Sequence, residues 1–457
     1  MVSDVFFMND RANALGESIK YKAVKVFRDA GLGELFKPGD TVGVKIHFGE
    51  HGLSHHLRSS WVRSIIEEIQ RLGGKPVVVD CTTIVFSTYS SRATREGMLC
   101  TAARHGMTEE TFGCPIWICD GEIGEYDVKV DIPSGTYLKY SYMGKKLEEL
   151  DAMIAVTHFK GHPMGVFGGA LKNIGIGCGS KRGKALTHLF NHERLGLHNF
   201  GINQAAAKAA WAQPHPNVVD NMIDGCPWDC FSWENDTLNF DGAKCHDCTG
   251  CFGSGLFSGI MAPKPEMMLY WASTIPDAFS GYVRAIGMDK VGYVSYAMDI
   301  TPWCDCVNFS DRGVVPNLGV FASKDPVAID MACLEMSEQV VATPGSKAEE
   351  LGFSEPGTER FTHASSFAGV SQWVAINSGV QNGVGTSEYN LILSDPVADD
   401  SEFFMKPYAP CNVWGKVHRE AMRGLDWNVG HFFHDDLQMS MVEMSLKPKG
   451  KVAQAEA

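Results

Sequence analysis

Continuous β-branched runs alternate with stretches of helical period along the first part of this chain. Residues 41–47 (TVGVKIH) form one such run without a breaker, and residues 75–80 (KPVVVD) form a second. Between them Trp61, Val62, Ile65, Ile66, Ile69 and Leu72 recur with a 3.6-residue period, and Gly73-Gly74 stops the helix. A strand–helix–strand unit of this kind demands parallel strands covered by helices on both faces. The pattern continues with a helix over 94–105 and strands over 115–119, 152–157, 291–298 and 318–322. The expected class is α/β, a mostly parallel sheet flanked by helices.

The alternation breaks over residues 196–264, a stretch that holds five cysteines. It therefore divides the chain. Residues 1–195 are the first part of an α/β domain, 196–264 a small cysteine-rich insert, and 265–393 the second part. Residues 394–457 are a C-terminal extension, helical around 413–425, with a disordered polar end (KPKGKVAQAEA).

Charge excludes some roles. Lys and Arg number 40 against 54 Asp and Glu, a net charge of −14, so general nucleic-acid binding is not expected. No apolar run approaches the ~20 residues of a membrane helix. The first residues (MVSDVFFMND) lack a basic segment followed by an apolar one, so the expected compartment is the cytoplasm. Thiols stay reduced there, and 14 cysteines read first as metal ligands or catalysts.

Polar residues follow each expected strand: His47, Glu50 and His51; Asp80 and Cys81; Asp120; His158, Lys160 and His162; Asp299, Thr301, Cys304 and Cys306; Ser323, Lys324 and Asp325. Open parallel sheets bind ligands outside the carboxyl ends of their strands, which places a site at this edge. Asp325-Pro326 equally reads as a helix start, with Asp as N-cap and Pro at the first turn. Among His47, His51, His55 and His56, Gly52 argues against a helical metal pair, so acid/base or substrate contact is preferred.

The sharpest cysteine signal is Cys245, Cys248 and Cys251, a C-x2-C-x2-C run whose spacing lets thiolates curl around one metal centre. A ferredoxin run adds a fourth cysteine three residues on, where Gly255 stands here. Three readings compete. Cys178, Cys226, Cys230, Cys304 or Cys306 completes a [4Fe–4S] cubane; three thiolates leave one iron open; or the metal is zinc. Iron–sulfur is preferred to zinc. Residues 224–251 also carry six acids against one base, which would lower a cluster's potential.

Residues 158–184 reverse the overall charge. Lys160, Lys172, Lys181, Arg182 and Lys184 occur there with no acid, among many glycines. Gly168-Gly169 entering a helix would offer backbone N–H groups to an anion. The spacing matches neither a dinucleotide fingerprint nor a P-loop. An anionic ligand pocket is preferred to a basic surface patch.

These residues resemble the domain of unknown function 362 family of prokaryotic iron–sulfur proteins. The likeness rests on VKIHFGEHG (44–52), Asp120-Gly121, HFKGH (158–162), FGGALKNIGIGC (167–178), residues 181–184, TPWCDC (301–306), SKDPVAID (323–330) and GVGTSEYNL (383–391). It implies a ferredoxin-like insert at 226–251, with ligands for two [4Fe–4S] clusters. The insert here holds five cysteines and lacks the proline-flanked fourth ligand, so one cluster or a degenerate module is expected.

The leading expectation is a cytoplasmic iron–sulfur oxidoreductase of anaerobic metabolism. Cys245, Cys248 and Cys251 would hold the metal, with Cys226, Cys230 and Cys178 as further cofactor-binding candidates. A small anionic substrate would meet Lys160, Lys172 and Lys184, with His47 and Glu50 as additional contacts. His158 or His162 would supply a proton, and Asp120 would orient or polarise. The alternatives are a lyase or hydratase using an open cluster iron as a Lewis acid, and a non-enzymatic electron carrier serving a redox partner protein.

Overall fold

The computed structural model describes residues 2–84, 90–248, 250–261, 265–366, 369–395 and 423–424. The expected helix around 413–425 and the disordered end lie outside the described residues, apart from 423–424; so does Cys411. Met1–Ala398 form one unit and Asp399–Ala457 a second, and the fold below belongs to the first.

Its centre is an eight-stranded sheet. The strands are β1 (Ser3–Asn9), β2 (Thr41–Lys45), β3 (Lys75–Asp80), β4 (Ile116–Ile118), β5 (Ala152–His158), β6 (Val291–Ala297), β7 (Gly319–Ser323) and β8 (Tyr389–Leu393). Their spatial order is β8-β1-β7-β6-β5-β2-β3-β4. Neighbours from β6 to β4 pair in parallel, as the sequence predicts. β1 and β8 also pair in parallel. Strand β7 alone runs against both of its neighbours, β1 and β6.

Each face of the sheet carries its own core. Along β5, Ala152, Ile154 and Val156 enter one core while Met153 and Ala155 enter the other. Successive side chains point to opposite faces, so a strand covered on both sides must be apolar throughout. On one face lie α1 (Ile19–Asp29) and α2 (Ser59–Arg71). On the other lie α3 (Ala170–Gly175), α4 (Pro265–Ile286) and α5 (Pro326–Glu338). No helix among the described residues is long and apolar enough to cross a membrane.

The reversal of β7 corrects one expectation. Ser323 pairs with Tyr293, near the start of β6, while Gly319 pairs with Ala297 at its end. Ser323, Lys324 and Asp325 therefore sit at the edge opposite the carboxyl ends of β2, β3, β5 and β6. Asp325 is the N-cap of α5 and accepts from the N–H groups of Val327 and Ala328, both at 2.9 Å. The plain helix-start reading is the correct one there.

Between α3 and α4 the chain forms short helices, Gln204–Trp211 and Val218–Asp224, a hairpin of Phe231–Glu234 with Thr237–Phe240, and a helix, Phe252–Phe257.

Candidate active site

The carboxyl ends of β2, β3 and β5 surround a cavity of about 150 Å³. His47, Glu50, Asp80, His158, Lys160, His162, Lys172, Lys184 and Cys306 all line it, so residues from distant parts of the sequence meet in one place.

The basic stretch is no surface patch. Lys160, Lys172 and Lys184 are buried. Lys160 Nζ is 3.0 Å from Asp305 Oδ2, and that carboxylate also takes His158 Nδ1 at 2.8 Å. Burial would raise the Asp305 pKa, but His158 and Lys160 hold it well below the usual carboxylate range. Lys172 Nζ donates to Cys304 Sγ at 3.5 Å, and Lys184 Nζ donates to the Gly179 carbonyl. Arg182 pairs with Asp127, and Lys181 Nζ donates to the carbonyls of Thr83 and Ala93 at 2.5 and 2.7 Å.

The expected anion site at the start of α3 is already filled. Asp330 accepts from the N–H groups of Ala170 at 2.7 Å and Leu171 at 3.0 Å. Asp330 thus takes up the N–H groups that the helix start would offer to a ligand, while burial pushes its own pKa up to about 7. Free positive character in the cavity has to come from side chains instead.

The expected proton donors are differently placed. His158 Nε2 faces the carbonyls of Met298 at 2.9 Å and Asp299 at 3.1 Å, so both of its nitrogens serve the frame. His162 Nδ1 accepts from the N–H groups of Met164 and Gly165 at 3.1 and 2.8 Å. Burial lowers its pKa to about 4. His47 Nδ1 accepts from the Gly49 N–H at 2.9 Å, which leaves its proton on Nε2. Burial first, then Arg92, keeps His47 neutral. Asp120 is fully buried and takes the N–H and hydroxyl of Thr82 at 2.9 and 2.7 Å; it braces a loop and does not line the cavity. The carboxylate of Glu50 is occupied by Arg92 Nε at 3.2 Å and by Ser91 N–H at 2.7 Å, which makes it an anchor for Arg92.

Arg92, His188, Trp271 and Asp305 were not legible as site residues. Arg92 sits in a loop 42 residues from its partner Glu50, with no local pattern to mark it. Asp305 lies within TPWCDC (301–306), and that is its only signal in the sequence.

A second, smaller cavity of about 20 Å³ is lined by Cys226, Cys230, Cys245, Cys248 and Cys251 together. Cys226 Sγ accepts from the Cys230 N–H at 3.4 Å, and Cys245 Sγ accepts from the Asp247 N–H at the same distance. Burial and the neighbouring thiols push Cys230 up to about 12 and raise Cys245, Cys248 and Cys251. Crowded thiols of this kind give up protons readily only to a cation, so the donor set fits a thiophilic metal centre. Cys178 is elsewhere, fully buried with its carbonyl accepting from Cys81 Sγ, and Cys304 and Cys306 belong to the larger cavity's surroundings. There, His162, Cys304 and Cys306 offer donor atoms within 4.8 Å of one another, a group that could hold a metal ion.

The family model described as Domain of unknown function (DUF362) matches residues 42–335. The chain belongs to the DUF362 family. The matched span runs from β2 into α5, so both cavities of this DUF362 member lie within it. The lactate racemase apoprotein from Thermoanaerobacterium thermosaccharolyticum is similar at 11% identity and a TM-score of 0.36. That match covers 74% of this chain and spans 58% of the racemase chain. No curated protein matches.

Proposed function

We propose that this protein is a cytoplasmic iron–sulfur oxidoreductase acting on a small anionic substrate. One observation carries the reading. Cys251 is the N-cap of the helix Phe252–Phe257, and Gly253 and Leu256 of that helix line the larger cavity. A cluster on the cysteines would therefore stand about one helical turn from the substrate space, a distance suited to electron transfer. Cys245, Cys248, Cys251 and Cys226 would hold one [4Fe–4S] cluster, with Cys230 as the alternative fourth ligand. The cluster would supply single electrons at low potential. Lys172 and Lys184 would attract the anion, Arg92 would orient it, and the Nε2–H of His47 would donate the proton. Helix 252–257, Trp271 and Met164 would exclude water above the substrate.

The open-iron lyase reading rests on a missing fourth cysteine, and Cys226 and Cys230 stand beside the other three. A cavity lined by buried charges also favours an enzyme over a simple electron carrier. The insert as a separate cofactor module, and a redox partner docking on it, are parts of the same proposal.

The test is anaerobic purification with iron, sulfide and zinc analysis, followed by electron paramagnetic resonance of the reduced protein. About four irons and four sulfides per chain are expected for one cubane. Addition of small carboxylates should shift the resonance. Zinc without sulfide would refute the cluster.

A further inference from the structure

Cys304-Asp305-Cys306 follows β6 and is not used by the cluster reading above. Asp305 is committed to His158 and Lys160, so it turns away from any ligand role between the two cysteines. The sulfurs are surrounded by donors. Lys172 Nζ lies 3.5 Å from Cys304 Sγ, and the Cys306 N–H donates to the same sulfur at 3.4 Å. His162 Nε2 lies 3.4 Å from Cys306 Sγ. Two backbone N–H groups occupy His162 Nδ1, so the ring proton is on Nε2 and points at sulfur. A metal-bound histidine normally donates from its other nitrogen, and here that nitrogen accepts. The hydrogen bonding thus suits sulfur anions better than a metal. Exposure separates the two thiols: Cys306 lines the cavity, whereas Cys304 is fully buried behind it.

We propose that Cys304 and Cys306 form a redox-active dithiol that exchanges with a small disulfide admitted to the cavity. Cys306 is the attacking sulfur and Cys304 the resolving one. In the first step the Cys306 proton passes to the Cys304 thiolate. Cys306 Sγ then bonds to one sulfur of the disulfide, and the other leaves as a thiolate. In the second step Cys304 Sγ bonds to Cys306 Sγ, and the remaining small thiol departs with the proton. Two electrons have then moved from the pair to the small disulfide. The Lys172 ammonium and the His162 Nε2–H stabilise the sulfur that carries the charge at each stage. This chemistry needs no cluster and stands apart from the function proposed above.

The experiment uses the full reduced chain with 2-hydroxyethyl disulfide, followed by alkylation and peptide mass mapping. The wild type should yield a Cys304–Cys306 crosslink. In Cys304→Ser, Cys306 should stop as the mixed disulfide. In Cys306→Ser, Cys304 should stay unmodified. Lys172→Met should slow Cys306 modification on the order of ten-fold near neutral pH. Failure of the wild type to form the crosslink overturns the proposal. So does a metal ion, bound one per chain, that is lost in Cys304→Ser while iron and sulfide stay unchanged. Loss of iron in Cys248→Ser with an intact crosslink would leave the dithiol supported and concern the cluster alone.

Discussion

Asp305 shows how much one buried side chain can carry. It is fully buried and neutralised by His158 and Lys160, two residues that themselves line the cavity. Removing one member of a buried charged set leaves its partners uncompensated, at a cost of about 3–5 kcal/mol. Asp305→Asn should lower stability by that amount in equilibrium denaturation, with Lys160→Met comparably harmful. His188 sets a pH limit. Burial holds its pKa at about 3, while in the unfolded chain it titrates near 6.5. A depressed folded pKa gives stability that is complete above the unfolded value and is lost as pH falls from there toward 3. Between about pH 6 and 4 the slope should approach ~1.4 kcal/mol per pH unit for this group. His188→Gln should flatten that part of the stability profile.

At the level of elements, close backbone approaches place the loops around the larger cavity. The hairpin Lys160–His162 and Val166–Gly168 meets the loop after β6 where the Gly161 N–H donates to the Thr301 carbonyl at 2.8 Å. A Cβ at Gly161 would lie 2.4 Å from the Pro302 carbonyl oxygen, so that backbone would have to move. Gly161→Ala should displace the Cys304–Cys306 loop. The expected result is a loss of crosslinking on the order of ten-fold or more, with native secondary structure retained by circular dichroism. Strands β2 and β3 are pinned in a similar way. Lys45 Nζ reaches Asp80 Oδ1 at 3.0 Å between two side chains with almost no exposure. Lys45→Met should cost about 3–5 kcal/mol, and adding Asp80→Leu should recover part of it, measured by a double-mutant cycle.

For the molecule as a whole, an acidic chain encloses a basic cavity. The net charge of −14 coexists with Lys160, Lys172, Lys184 and Arg92 around one space, offset in part by Asp305 and Glu50. A small carboxylate that binds the native state should raise its stability by about 2.7 kcal/mol at a hundred times its dissociation constant. Thermal shift with a series of mono- and dicarboxylates tests this, and Lys172→Met with Lys184→Met should abolish the gain. Under the proposed cluster on Cys226, Cys245, Cys248 and Cys251, metal binding adds a second linkage. Removal of iron by a chelator should destabilise the insert more than the sheet, visible as early hydrogen exchange in residues 196–261.

Periodicity alone fixed the layers. The runs PVVV (76–79) and AMIAV (152–156) are apolar at every position, and only strands buried on both faces need that. The helix over 61–72 was legible for the same reason. Spacing also singled out Cys245, Cys248 and Cys251 as one group, because two-residue spacing is a local property of the chain, and they line one small cavity. Strand β1 (SDVFFMN) and strand β8 (YNLIL) were missed, since polar residues interrupt each run and the strands that pair with them are distant in sequence. The direction of β7 was equally hidden: a strand reads the same whichever way it runs, yet its reversal moved Ser323, Lys324 and Asp325 to the far edge. Tertiary structure alone decided which buried lysine met which acid. It also filled the α3 terminus with Asp330, brought Cys226 and Cys230 to the other three cysteines, and joined Glu50 to Arg92. Those are contacts between residues far apart in sequence, and a local pattern carries no record of them.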